Sequence, residues 1–392
     1  MKKIIRYISI SLLPALLFFT IAEVIVRSLS LDKPSIVAGG SGIGPNSFVQ
    51  SDLALGWALK PNSSFTTQKY SITINSLGLR SPEVQPKKKN EFRILSLGES
   101  STFGVMVGDS ETYSAQLQRL LNKTIQSRSI VVINAGISAY SSFQSLKYLE
   151  LRGLKLKPDL ILFYHEVNDY LPTAIHDTKL NEIGILKTDK QLYDSKLQRI
   201  SHFFEKNWGF YRFLTYSYAK FTIKKLNRND FENPIVDIGL PDLRVNVCFH
   251  EIAAKKDGSS PKLDPFLLGR RVSDEERLEI LTRLTSICRD NNIRLIIIHP
   301  SYRYSRPHEC VLTHFCKENN VLMFEAYHSL HPQKVKLDTM FIDLWHPTAY
   351  GHTCLAYDLS RFICKKLFGI QSFTKDRRKL SVGLTDKNLL FE

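Results

Sequence analysis

The sequence predicts an α/β fold, a five-stranded parallel sheet with helices on both faces, and two observations carry that expectation. From Phe92 onward, short apolar runs of strand length alternate with stretches of helical period, the order that builds a parallel sheet. The residues able to do chemistry fall just after those runs or just before a helix, and in such sheets the carboxyl ends of strands are where sites form.

The expected strands are Arg93 to Leu97, Ile130 to Asn134, Asp159 to Tyr164, Ile293 to Ile298 and Val321 to Phe324, five in all. The expected helices are Thr112 to Leu121, Phe143 to Leu154, Asp274 to Asp290, His308 to Lys317 and Thr348 to Leu367. The series breaks between Tyr170 and Arg271, an insertion over about 171–271 that is too long for a structureless loop inside a compact domain. It is expected to be helical. Its aromatic stretch (Phe203, Phe204, Trp208, Phe210, Tyr211, Phe213, Tyr216, Tyr218, Phe221) reads either as a helix packing on the domain or as a lid that meets an acyl chain or a bilayer.

At the amino terminus, Lys2, Lys3 and Arg6 precede an apolar run from Tyr7 to Val26, close to the ~20 residues that cross a bilayer as a helix. Thr20-Ile21-Ala22 is a poor cleavage site, so residues 1–30 read as an uncleaved signal anchor. The basic flank stays cytoplasmic, which puts the rest of the chain on the extracytoplasmic side. Residues 31–90 read as a linker and lead-in segment, 91–368 as the main domain, and 369–392 as a basic polar tail. Gly39, Gly40, Gly42 and Gly44 have no preceding strand, following helix or Lys-Ser/Thr pair, so they make no phosphate loop.

With 392 residues, 43% of them apolar, the chain has ample material for a core. Its net charge of +15 suits an anionic partner or simply a solvated basic surface. Lys and Arg are scattered and no nucleic-acid-binding motif appears, so no nucleic acid is expected as partner. The six cysteines (Cys248, Cys288, Cys310, Cys316, Cys354, Cys364) include no C-x-x-C pair and name no metal or redox site. Cys310 and Cys316 are near enough for a short disulfide in an exported chain, and read equally well as buried thiols.

Four segments carry chemistry. Leu97-Gly98-Glu99-Ser100 ends the first strand, where a turn can project a serine over the sheet. Serine is a weak nucleophile until an imidazole takes its proton and a third group holds that imidazole in place. Asp343-Leu344-Trp345-His346-Pro347 supplies both groups on one irregular loop ahead of the last helix. Acyl transfer also needs donors for the developing oxyanion, each worth about 10²- to 10³-fold in rate. Asn134-Ala135-Gly136 and Glu166-Val167-Asn168-Asp169 end the second and third strands and offer the Gly136 amide and the Asn168 side chain, beside the Ser100 amide. His165 and His299 also lie at strand ends and read as structural histidines; His352 is expected inside the last helix, so His346, His352 and Asp343 make no metal site.

In this order the four segments resemble the four blocks of the SGNH (GDSL-type) hydrolases, over roughly Phe92 to Leu367 apart from the insertion. The resemblance implies a flavodoxin-like three-layer α/β/α fold, no metal or organic cofactor, and acyl hydrolysis or transfer. It implies Ser100 as nucleophile, His346 as general base and acid, Asp343 as orienting carboxylate, and an oxyanion hole of Ser100, Gly136 and Asn168. Glu99 and Glu166 depart from the family's Asp and Gly; the second sets a bulky acid near Asn168. Leu55 to Asn62 and Asn75 to Arg80 resemble the lead-in of membrane-anchored bacterial members. The expected function is a serine esterase acting on an O-acyl group of a carbohydrate or lipid. An O-acyltransferase of an extracellular glycan and a non-catalytic binding domain on the same scaffold are the alternatives.

Overall fold

The computed structural model describes residues 2–29, 31, 48–52, 54–170, 188–193, 270–307 and 309–371, with scattered positions between 200 and 217. The linker glycines, Cys248, most of the insertion and the basic tail beyond 371 lie outside the described residues.

Five strands form the central sheet: β5 (Glu91–Gly98), β6 (Ser129–Gly136), β7 (Leu160–Tyr164), β8 (Arg294–His299) and β9 (Leu322–Glu325). Their order is β6-β5-β7-β8-β9 and every pairing is parallel. Each expected strand is present, with no end shifted by more than two residues. Because β6 and β7 flank β5 on opposite sides, the chain reverses its direction of travel across the sheet at β5, and the crevice of such a sheet opens at the carboxyl end of that strand. Ser100 follows β5 directly.

Alternation along the strands explains the three layers. Leu95, Leu97, Ile133, Ile161, Phe163 and Ile297 face one apolar cluster, while Ile94, Val132, Leu160, Leu162, Ile296 and Ile298 face the other. The helices that cover the first face are α4 (Ser142–Leu151), α7 (Asp274–Asp290) and α8 (Val311–Glu318). On the second face lie α3 (Tyr113–Thr124) and α11 (Ala349–Phe368), which pack against each other. Shorter helices are α2 (Ser100–Phe103), α5 (Val167–Tyr170), α6 (Asp189–Tyr193), α9 (Tyr327–Leu330) and α10 (Leu337–Met340). A fully buried Leu or Ile in such a layer contributes about 1.5–3 kcal/mol. Side-chain caps fix several helix starts: Ser141 accepts from the Gln144 amide, Ser273 from Glu276, and Thr348 from Gly351.

Two hairpins, β1 (Val49–Asp52) with β2 (Gly56–Leu59) and β3 (Ser63–Thr66) with β4 (Ser71–Ile74), bury Leu55, Trp57, Leu59, Ile72 and Ile74 in the first apolar cluster. Polar contacts tie them to the sheet: Trp57 Nε1 donates to Ser138 O at 3.2 Å, and Tyr140 Oη donates to Trp57 O at 2.5 Å. The hairpins thus add to the cover that the helices give the first apolar face.

Helix α1 (Lys2–Ser28) contains the expected apolar run. The membrane span expected from Tyr7 to Val26 is not found, since among the described residues no helix is long and apolar enough to cross a membrane. The carboxyl half of α1 meets the aromatic segment of the insertion: Phe19 stacks on Trp208, and Glu23 accepts the Gly209 and Phe210 amides at 2.8 and 2.7 Å. Cys310 and Cys316 are free and buried, so no disulfide joins them; buried thiols need none where a core of this size already holds the loop.

Candidate active site

Ser100 opens α2, a single helical turn directly after β5. That turn is held from beneath and behind. A Cβ on Gly136 would lie 2.4 Å from the Phe103 amide nitrogen, so only glycine lets β6 approach the turn this closely. Arg80, buried in the lead-in, donates to the carbonyls of Phe103 (2.8 Å), Gly104 and Val107 (2.6 Å) and to Asp109 (2.9 Å), satisfying the orphan carbonyls at the end of the turn.

From the far end of the chain, the loop 341–348 folds back over α2. Phe341 and Pro347 form an antiparallel bridge, Ile342 N donates to His346 O at 2.8 Å, and Thr348 N donates to Met340 O at 2.9 Å. Thr348 is the cap of α11 and Pro347 stands one residue before it. A Cβ on Gly351 would meet Met340 O at 2.4 Å, so the start of α11 closes on this loop only with glycine there.

The closure brings Ser100, His346 and Asp343 together. Ser100 Oγ lies 2.9 Å from His346 Nε2, and His346 Nδ1 lies 2.7 Å from Asp343 Oδ2. Asp343 Oδ1 accepts the Trp345 and His346 amides, each at 2.8 Å. Burial alone would raise the Asp343 carboxyl; the His346 ring and these two amides outweigh it and hold it below the usual carboxylate range. With Asp343 ionised and acceptor-only, Nδ1 carries the proton and Nε2 presents its lone pair to the serine. The His346 side chain is 17% exposed, so the pair is reachable yet largely shielded from water.

The donors differ from expectation. The Gly136 amide donates to Asn134 Oδ1 at 2.9 Å, so the group expected to face an oxyanion is already committed. Asn168 Nδ2 donates to Tyr140 O at 3.1 Å, which uses one of its two hydrogens. Three residues past Gly136, Ala139 adopts φ 61°, a left-handed conformation costly for a residue with a Cβ, and its amide has no acceptor among the described residues. Sequence reasoning missed Ala139, because nothing in an alanine announces a positive φ. The Ser100 amide is the first of α2 and so has no intrahelical acceptor.

Beneath these groups lies a buried polar layer. Glu99 is buried, receives the Tyr302 hydroxyl at 3.1 Å and the Asn168 amide at 3.4 Å, and is pushed up to about 8 by burial and then by the charge of Asp169. Burial would likewise raise Asp169, but Arg277 at 2.8 Å and the Ser142 amide hold it below the ordinary range. Glu166, the bulky acid beside Asn168, is 2% exposed and turns toward His299. His165 is buried against Ser145 Oγ at 2.7 Å, and burial lowers it to about 3, so it is neutral. His352 lies inside α11, accepts the Tyr113 amide and is likewise neutral, apart from the site as expected. His299 is opposite in sign: burial disfavours its charge, but contacts with Cys310, Glu325 and Glu166 prevail and raise it to about 10.

No protein-family model matches the chain, and no curated protein matches it. Solved structures do. It is similar to a lipolytic protein of the G-D-S-L family from Desulfitobacterium hafniense, at 12% identity over 69% of this chain and 98% of that one, with a TM-score of 0.36. It is similar to the psychrotrophic esterase EstA from Pseudoalteromonas sp., at 14% identity over 70% and 98% of the two chains, TM-score 0.39. The acetylxylan esterase Axe2 from Geobacillus stearothermophilus matches at 15% identity over 70% and 96%, TM-score 0.39.

Proposed function

We propose that the chain is a serine hydrolase that cleaves an O-acyl ester through an acyl-enzyme. The observation that carries this reading is the unbroken relay from Ser100 Oγ through His346 to Asp343, with separations of 2.9 and 2.7 Å. Ser100 Oγ attacks the ester carbonyl carbon while His346 Nε2 takes the hydroxyl proton, and the carbonyl oxygen becomes an oxyanion. As that intermediate collapses, the C–O bond to the alcohol breaks and the departing oxygen receives the proton from Nε2. Water then gives its proton to Nε2 and attacks the acyl-serine; collapse returns that proton to Ser100 Oγ and releases the acid. Asp343 stabilises the imidazolium at both stages without itself taking the proton.

For the oxyanion we assign the Ser100 amide, the remaining Asn168 Nδ2 hydrogen and the Ala139 amide, with Ala139 in place of Gly136. The Asn168–Tyr140 hydrogen bond supports this, because it sets Asn168 beside the loop that carries Ala139. The alcohol is that of a carbohydrate or lipid, and an O-acyltransferase would differ only in a sugar hydroxyl taking the place of water. The site belongs on the extracytoplasmic side, tethered by α1. Support comes from the basic residues ahead of the apolar run, and from Leu13, Leu16, Leu17 and Phe18, each more than half exposed along α1.

The test is intact-mass measurement of the full chain after brief exposure to short-chain activated esters and to a fluorophosphonate. An acyl or phosphonyl adduct on Ser100, absent in Ser100→Ala, is the expected result. Folded protein that takes up neither adduct would overturn the proposal.

A further inference from the structure

At the same edge of the sheet, one strand pair away from the nucleophile, three side chains of metal-binding type converge. Glu166 follows β7, His299 ends β8, and Cys310 stands just ahead of α8. One ligand atom from each lies within 4.8 Å of the other two, and this is the one such group found among the described residues. All three are buried, at 2%, 1% and 9% exposure.

The geometry points to a site for a zinc-like divalent cation, held by Cys310 Sγ, His299 Nε2 and a Glu166 carboxylate oxygen. A tetrahedral zinc with Zn–S of about 2.3 Å and Zn–N of about 2.0 Å separates sulfur from nitrogen by about 3.5 Å. Cys310 Sγ and His299 Nε2 are 3.6 Å apart. The matching nitrogen-to-oxygen edge is about 3.3 Å, and Glu166 Oε1 is 3.9 Å from the same nitrogen, within reach of a small torsion of the glutamate side chain.

The other face of the imidazole supports the same assignment. His299 and Glu325 are register partners across β8 and β9, and Nδ1 lies 2.6 Å from Glu325 Oε2. A carboxylate can only accept there, so the Nδ1 hydrogen is fixed and Nε2 is directed at Cys310 and Glu166. A carboxylate behind a ligating histidine is what orients such ligands and raises their basicity. Mixed sulfur, nitrogen and oxygen donors suit zinc over magnesium or calcium. Sequence reasoning expected no metal site because the three ligands are 133 and 11 residues apart along the chain and share no motif. Only the strand order joins them.

The cation would act on architecture. Tyr302, in the segment between His299 and Cys310, holds Glu99 and the Val167 amide, so pinning both ends of that segment steadies the residue before the nucleophile and the residue before Asn168.

The test uses the full chain purified without a metal-affinity step. Cobalt(II) is titrated in, absorption is followed for a thiolate-to-cobalt charge-transfer band, and zinc content is measured by elemental analysis. The expected result is one equivalent of metal with the band, the band lost in Cys310→Ser, and affinity about 10- to 100-fold weaker in Glu325→Gln. Wild-type protein that is folded by circular dichroism yet binds neither metal stoichiometrically would overturn the inference, leaving a proton on His299 to join the carboxylates. So would an unchanged band in Cys310→Ser or an unchanged affinity in Glu325→Gln. The last variant lies outside the ligand set and decides the matter even where the cysteine variant does not fold.

Discussion

Tyr302 and Glu99 share a hydrogen bond of 3.1 Å, and the same phenolic oxygen accepts the Val167 amide at 3.0 Å. The residue before the nucleophile and the residue before Asn168 are thus tied through one buried tyrosine. Because Glu99 titrates near 8 when folded against 4.5 as a free side chain, the folded state holds a proton that the unfolded chain releases between those values. Its favourable contribution is complete below pH 4.5 and is lost as pH rises toward 8, by at most about 1.4 kcal/mol per pH unit. In Glu99→Gln that decline should flatten. Urea unfolding at a series of pH values checks it, and an undiminished slope would sink the assignment.

Asn168→Ala should lower kcat by about 10²- to 10³-fold with little change in KM, as expected of a group engaged only in the transition state. Gly136→Ala should instead reduce folded yield, since its Cβ would meet the Phe103 amide nitrogen. Ala139→Gly relieves the left-handed strain and should be tolerated. Steady-state kinetics beside thermal melts separate the three.

Arg277 holds Asp169 through two nitrogens at 2.8 and 3.2 Å and also meets Tyr170 and the Glu166 carbonyl. Removing the guanidinium would strand a carboxylate that is fully buried. Arg277→Met should cost about 3–5 kcal/mol, and adding Asp169→Asn should recover part of it. Denaturant midpoints of the single and double variants test the coupling.

Arg80→Met should leave the carbonyls at the end of α2 without their donor, at about 1–3 kcal/mol of stability. The same change loosens the turn that carries Ser100, so kcat should fall although Arg80 does not contact Ser100. A variant that melts lower with kcat intact would show that the clamp serves folding alone.

The sheet was legible because buried parallel strands are continuous apolar runs, and the five from Arg93 to Phe324 were unmistakable at that length. Ser100, Asp343 and His346 were legible because their chemistry demands specific residue types, the serine on the turn after the first sheet strand and the Asp–His pair on the loop ahead of the last helix. The committed amide of Gly136 was not, since Asn134 turns its side chain back on a residue two positions later, an event of local geometry that no spacing announces. Nor was the depth of Glu166, whose direction depends on β8 arriving with His299. The hairpins from Val49 to Ile74 were not legible as strands because each is four residues long, too short for a sustained period, and β3 is exposed along most of its length.

Trp57 and Tyr140 exchange their polar groups with the backbone of each other's neighbourhood, the indole with Ser138 O and the phenol with Trp57 O. A fragment cut at residue 91 to obtain a compact catalytic piece would discard both this clasp and Arg80. Such a truncation would bare a greasy flank and unseat the serine's turn, so anyone expressing the enzyme for crystals or assays should start the clone upstream of Phe48.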